Sequence, residues 1–256
     1  MGILKIVTLV ILMISFRASA ESLIVYGDDV YAPVIHTDRG KPAGLLPTIL
    51  KRLERDTGDI YELRLVPWKR AYESSLSGDG GILGVSHTKE RAALFDFSKP
   101  IYDDDIQVVM LRESAFPFKG LQDLKGKTLG GVQGASYGDE VDRAIVAGLF
   151  KVDRDVGQIG RLRKLLAGRL DAALVGNGLA GFDFILNSDE VLRSSRQRFV
   201  IAQTPLVRDP LHLAFPKKLS KAEALARFDA ALVRLQRSAE WKTLLLGAMT
   251  TAPASK

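Results

Sequence analysis

From residue 22 onward the chain alternates between short strand-like runs and amphipathic helical stretches. SLIVYG (22–27) reads as a buried strand, and LLPTILKRLERDTG (45–58) as a helix with Pro47 near its first turn and Gly58 at its end. YELRLVP is an alternating strand, WKRAYESSLSGDGG a short helix broken by glycines, and ILGVS a further strand. Strand, helix, strand, helix, strand is an order that few folds satisfy. It predicts a mostly parallel sheet with helices on both faces.

IQVVMLR (106–112) leads out of this unit, and a second series follows it. KTLGGVQ is strand, YGDEVDRAIVAGL helix, 150–153 strand, RLRKLLAGR helix and LDAALVG strand. RFVIAQTPLV then leads back, LHLAFPK is a strand, and the residues from Lys221 supply a helical C-terminus. One α/β lobe interrupted by another requires two chain crossings, near Met110 and near Pro205. The expected division is lobe one at 21–110 and 206–256, and lobe two at 111–205, with a cleft between them and a two-strand hinge beneath it. No tandem repeat of solenoid period is visible.

Residues 1–20 are set apart from this fold. MGILK is a short basic start, IVTLVILMISF an apolar run too short for a comfortable membrane span, and RASA ends in the small-x-small pattern of a signal-peptidase site. Cleavage after Ala20 and export to a periplasm are expected. The chain has no cysteine, so a core rather than disulfides must hold it, and no lipobox cysteine is available for an anchor. The net charge of +6 is modest and dispersed, with Lys5 and Arg17 in the leader. The basic run RLRKLLAGR (161–169) has Leu162, Leu165, Leu166 and Leu170 at helical spacing, which assigns its charges to a solvated face and argues against nucleic acid. Three scattered histidines without cysteine give no metal-ligand spacing.

The stretch GVSHTKERAALFDFSKPIYDDD (84–105) raises a chemical question. Ser86 or Thr88 is a natural N-cap for a helix in KERAALF. Arg91 then falls in the first turn, where the backbone dipole favours acids. A planar guanidinium beside free N–H groups suits a carboxylate, and the plainer alternative is an ion pair with Glu90 or Asp96.

The order of DDVYAP, AGLLPTILKRL, PWKRA, GVSHTKERAALFDFSKPIY, GLQDLKGKTLGGVQGASYG, AGRLDAALVG and RLQRSAEWKTLLL resembles the family 3 extracellular solute-binding proteins, amino-acid-type receptors of ABC importers. The resemblance implies a two-lobed α/β periplasmic-binding-protein fold of type II. It also implies a bidentate salt bridge from Arg91 to a ligand carboxylate, helped by Gly84, Ser86 and nearby Thr88. Ala135 and Ser136 would complete the clamp from lobe two, where VQGASYGDE is read with Ser136 as N-cap and Asp139 three residues on. Tyr31 and Trp68 match aromatic walls and Asp28 a contact for a basic side chain, with core packing as the alternative for both rings.

One position departs from the family pattern. The acid that usually holds a ligand ammonium falls here on Gly176, followed by Asn177, whose amide lacks the charge. The implied function is capture of a small carboxylate-bearing solute by a monomeric receptor, without cofactor, for an ABC permease in the inner membrane. A periplasmic enzyme similar to cyclohexadienyl dehydratases and a sensory binding module are the competing readings.

Overall fold

A computed structural model describes residues 20–250, with side chains to residue 247; the leader read at the N-terminus lies outside the described residues apart from Ala20. The chain runs β1 (Ser22–Asp28), β2 (Val30–Tyr31), β3 (Ile35–Asp38), β4 (Lys41–Ala43), α1 (Leu45–Thr57), β5 (Ile60–Val66), α2 (Trp68–Ser77), β6 (Gly81–Ser86), α3 (Lys89–Leu94) and β7 (Phe95–Phe97). The long β8 (Tyr102–Leu111) leads to β9 (Thr128–Val132), α4 (Asp139–Val146), β10 (Lys151–Asp155), α5 (Gln158–Leu166), β11 (Ala172–Val175), α6 (Gly178–Asn187), α7 (Glu190–Ser194) and β12 (Phe199–Ile201). The equally long β13 (Val207–Pro216) returns to α8 (Ala222–Gln236) and α9 (Ala239–Thr250). The strand order is β10-β9-β11-β8-β13-β6-β1-β5. β5, β1 and β6 pair in parallel, as do β10, β9 and β11, while β8 and β13 run antiparallel to their neighbours.

The helices form where hydrophobic spacing and end signals agree. In α1, Leu45, Leu46, Ile49, Leu50 and Leu53 recur on one stripe and are buried. Gly58 ends it in the left-handed region, donating its N–H to the Glu54 carbonyl at 2.9 Å. That stripe packs with Phe228 and Leu232 of α8 against β1 and β13. Each fully buried Leu contributes about 1.5–3 kcal/mol by the area it removes from water. The second core joins Leu162 and Leu165 of α5 to Ala173 and Val175 of β11 and to Phe182 and Ile185 of α6. DDVYAP opens the small antiparallel sheet β2-β3-β4.

β8 and β13 are each long enough to belong to both halves of the sheet. The first part of β8 pairs with β13 from Tyr102 to Ile106, and its later part pairs with β11 and β12. β13 leaves β8 to pair with β6 and β7. These two antiparallel strands connect the halves beneath the cleft.

Candidate functional site

The side-chain alternation of the two connecting strands builds the floor of the cleft. Asp209 and Asp104 are direct antiparallel partners, so both project to one face, and Arg208 and Asp105 are partners on the other. The outer pair is neutralised, with Arg208 Nε donating to Asp105 Oδ1 at 2.9 Å. The inner pair is two buried carboxylates that make no salt bridge among the described residues, facing a cavity that Asp28 also lines. Like charges placed opposite one another destabilise a strand pair, so this arrangement is not explained by folding.

Each carboxylate is held by neutral donors. Asp104 accepts from the Tyr31 hydroxyl and from the Asn177 backbone N–H, which ties β2, the hinge and the start of α6 together. Asp209 Oδ2 accepts from Ser86 Oγ at 2.6 Å, and Asp28 Oδ1 from the Val30 N–H at 2.9 Å. Burial dominates their titration. It pushes Asp28 and Asp209 up to about 7 and Asp104 up to about 6, partly offset by those hydrogen bonds.

The walls come from both halves of the molecule. Trp68 and Ile35 face Val132, Leu174 and Gln158 across the cavity. The halves touch: Trp68 Nε1 donates to the Gly134 carbonyl at 3.2 Å, and the Lys89 N–H to Asp139 Oδ1 at 3.2 Å. Trp68 also packs on Ile82, Val85 and Phe95, so it serves wall and core together.

Gly84 explains how β6 delivers its end to the cleft. The β6–β13 register slips between His212 and Leu213, leaving Gly84 outside the pairing at φ +82°. Ser86 follows, and Thr88 caps α3 by accepting the Arg91 N–H at 3.2 Å. Arg91 is 5 % exposed, donates to the Ser86 carbonyl at 3.2 Å and lies 4.9 Å from the Tyr72 ring centroid. Neither Glu90 nor Asp96 pairs with it, and among the described residues no carboxylate lies within salt-bridge distance. The Arg91 charge acts through space on Asp209, drawing that carboxyl down from where burial alone would hold it.

The structure divides the residues singled out from sequence between two adjoining cavities. Asp28, Tyr31, Trp68, Gly84 and Ser86 line the acidic one, Thr88 and Arg91 the other, and Ala135 and Ser136 line both. Asn177 lines neither cavity: its carboxamide oxygen accepts from Tyr102, and its backbone starts α6 in the left-handed region. Ser136 is not the N-cap read from sequence. Gly138 at φ +88° turns the chain first, α4 begins at Asp139, and the Ser136 hydroxyl donates to Asp142.

Arg161 corrects a second expectation. Helical spacing placed it on a solvated face, yet it is 1 % exposed and lines the acidic cavity. Its guanidinium bonds Asp155 of β10 twice, at 2.7 and 3.1 Å, and the Leu174 carbonyl at 2.6 Å. Gly130 makes the space, since a Cβ there would stand 2.5 Å from Arg161 Cγ. Asp104 and Asp209 were missed from the sequence. Period-two parity was the available signal, because Asp104 shares a face with Ile106 and Val108, and Asp209 with Leu211 and Leu213.

The model of the bacterial extracellular solute-binding proteins, family 3, matches residues 23–246. YxeM of Bacillus subtilis, described as a probable amino-acid-binding protein, is 24 % identical over 212 residues, 79 % of this chain and 78 % of its own. The L-cystine-binding protein TcyJ of Escherichia coli is 28 % identical over 181 residues, 70 % of this chain and 67 % of its own. Among solved structures, the Streptococcus pneumoniae amino acid ABC transporter substrate-binding protein AbpA bound to L-arginine superposes with a TM-score of 0.72. It is 20 % identical, covering 91 % of this chain and 97 % of its own. A histidine kinase sensor domain with similarity to periplasmic binding proteins gives 0.74 at 23 % identity, covering 90 % of this chain and 96 % of its own. At these identities the superpositions speak for the fold, which is the two-lobed type II α/β fold.

Proposed function

The chain belongs to the bacterial extracellular solute-binding proteins of family 3, and on that premise we propose that it captures an amino acid or related carboxylate-bearing solute between its two lobes and delivers it to an ABC permease. The observation that supports this most is Arg91, buried at the cleft with no salt-bridge carboxylate among the described residues. A ligand carboxylate would complete it as a charge-assisted, bidentate pair, with Ala135 and Ser136 closing from the opposite lobe.

Closure raises the strength of that pair by removing water around it. The Trp68–Gly134 and Lys89–Asp139 hydrogen bonds are contacts that closure forms, and the lobe of residues 111–205 moves as a unit about β8 and β13 in this reading. The relatives described as amino-acid- and L-cystine-binding point to the same ligand class. Export places the receptor in the periplasm, where it meets the permease.

A thermal-shift screen of the purified protein against amino acids, organic acids and short peptides tests the reading, because a ligand that binds only the folded state raises the melting temperature. The expected result is a shift from one carboxylate class that Arg91→Ala abolishes. A shift of equal size in Arg91→Ala rules out the clamp.

A further inference from the structure

We propose that the ligand also presents a cation, an ammonium or a guanidinium, to Asp209 at the cleft face of the hinge, beside the Asp28 that the resemblance already implies for a basic group, and that Asp209 takes the place of the acid absent at Gly176. The inference rests on the cleft being the ligand site and names the second half of what that ligand must be.

The carboxylates alone do not make a site, so their partners decide the matter. Asp104 has both oxygens engaged, by Tyr31 and by the Asn177 N–H, and acts as a buried anchor. Asp209 has one oxygen on Ser86, and its Oδ1 receives no hydrogen bond. A second, independent group points at the same cavity: Gln158, 5 % exposed, lines it with its Nε2 buried and without an acceptor, while its Oε1 receives the Gly176 N–H at 3.2 Å. A ligand filling this space must therefore offer a donor toward Asp209 and an acceptor toward Gln158.

Charge selects a cation for the donor. Among the described residues Arg161 is the basic side chain lining this cavity; bonded twice to Asp155, it makes no salt bridge to Asp28 or Asp209 and offsets the burial of Asp28 only in part, through space. The cation is organic, because among the described residues no group of three or more His, Cys, Asp or Glu is placed to hold a metal ion. Geometry also explains why the acid moved. A Cβ at Gly176 would stand 1.7 Å from the Tyr31 hydroxyl, so any side chain there collides with the residue that anchors Asp104.

The groups facing these acids from each packed element agree with this. Arg91 of α3 and Arg161 of α5 partly offset the burial of Asp209 and Asp28 through space, Asp29, Asp142 of α4 and Asp105 of β8 add like charge, and the Tyr31 and Tyr102 hydroxyls are held protonated by burial. Burial holds Asp28 and Asp209 near neutrality in their titration, and an arriving cation favours their ionised forms.

Calorimetric titration of the purified protein with L-arginine, L-glutamine, agmatine and succinate tests this, in the wild type and in Asp209→Asn, Asp28→Asn and Arg91→Ala. L-Glutamine offers only its α-ammonium, agmatine offers cations without a carboxylate, and succinate offers carboxylates without a cation. Cation-bearing probes are expected to bind better than succinate and to lose about tenfold or more in an aspartate variant that melts cooperatively. Binding of L-glutamine as well as L-arginine assigns the subsite to the α-ammonium; binding of L-arginine and agmatine alone assigns it to the side chain. Unchanged affinity in both aspartate variants, succinate as the tightest probe, or no cation-bearing probe bound by the wild type overturns the proposal. If Arg91→Ala leaves every affinity unchanged while the aspartate variants lose theirs, the carboxylate clamp fails and the cation subsite stands.

Discussion

Gly176 and Tyr31 meet from opposite lobes, and the fit leaves no room for a methyl group. Gly176→Ala is expected to hold the lobes apart, weakening ligand binding by about tenfold or more while leaving the ligand-free melting temperature nearly unchanged; calorimetry and a melting curve check it. Asp209 gives a pH prediction. Burial raises its folded value to about 7 from an ordinary 3.8, so between those values the folded chain keeps a proton that the unfolded chain has shed. Its contribution is intact below the lower value and is lost as pH rises through the upper one. The melting temperature of Asp209→Asn should therefore gain on that of the wild type as pH climbs from about 4 to about 8. A difference independent of pH would show that Asp209 is ionised throughout.

At the scale of elements, α3 is too short to stand without its cap, and it positions Arg91. Thr88→Ala removes the side-chain acceptor of the Arg91 N–H and is expected to cost about 0.5–2 kcal/mol, read from denaturant unfolding, with a loss of ligand affinity alongside. Leu53→Ala in α1 should cost about 2–5 kcal/mol and leave affinity intact, since Leu53 lies in the core away from both cavities. The strand and helix order was legible in the sequence because periodicity and end signals such as Gly58 are local. Arg161 was not, because its burial depends on Asp155 from a different element and on the missing side chain of Gly130. Asp104 and Asp209 were hidden for a similar reason. YDDDIQ looks like an exposed charge run, and only pairing with a strand 103 residues away in the chain sets Asp105 outward against Arg208 and Asp104 inward against Asp209. The turn before α4 was misread because a positive φ at Gly138 outweighed the cap signal of Ser136.

For the whole molecule, the account joins two half-sites in one cleft: a guanidinium in one cavity and carboxylates in the other, without salt bridges among the described residues, and Ala135 and Ser136 common to both. Ligand should favour the closed arrangement, so the radius of gyration in solution is expected to fall on ligand addition, with Trp68→Phe weakening the response by removing the bond to Gly134. Family membership and type II fold were readable from the ordered segments along the chain, whereas Asp209, proposed to take over from an acid at position 176, required the assembled hinge. The central claim is that Arg91 holds a ligand carboxylate. Its most direct test is the calorimetric affinity of the amino acid that emerges from screening, compared between wild type and Arg91→Ala. The account predicts a loss of about a hundredfold or more in a variant that still melts cooperatively. An affinity equal to that of the wild type would contradict it.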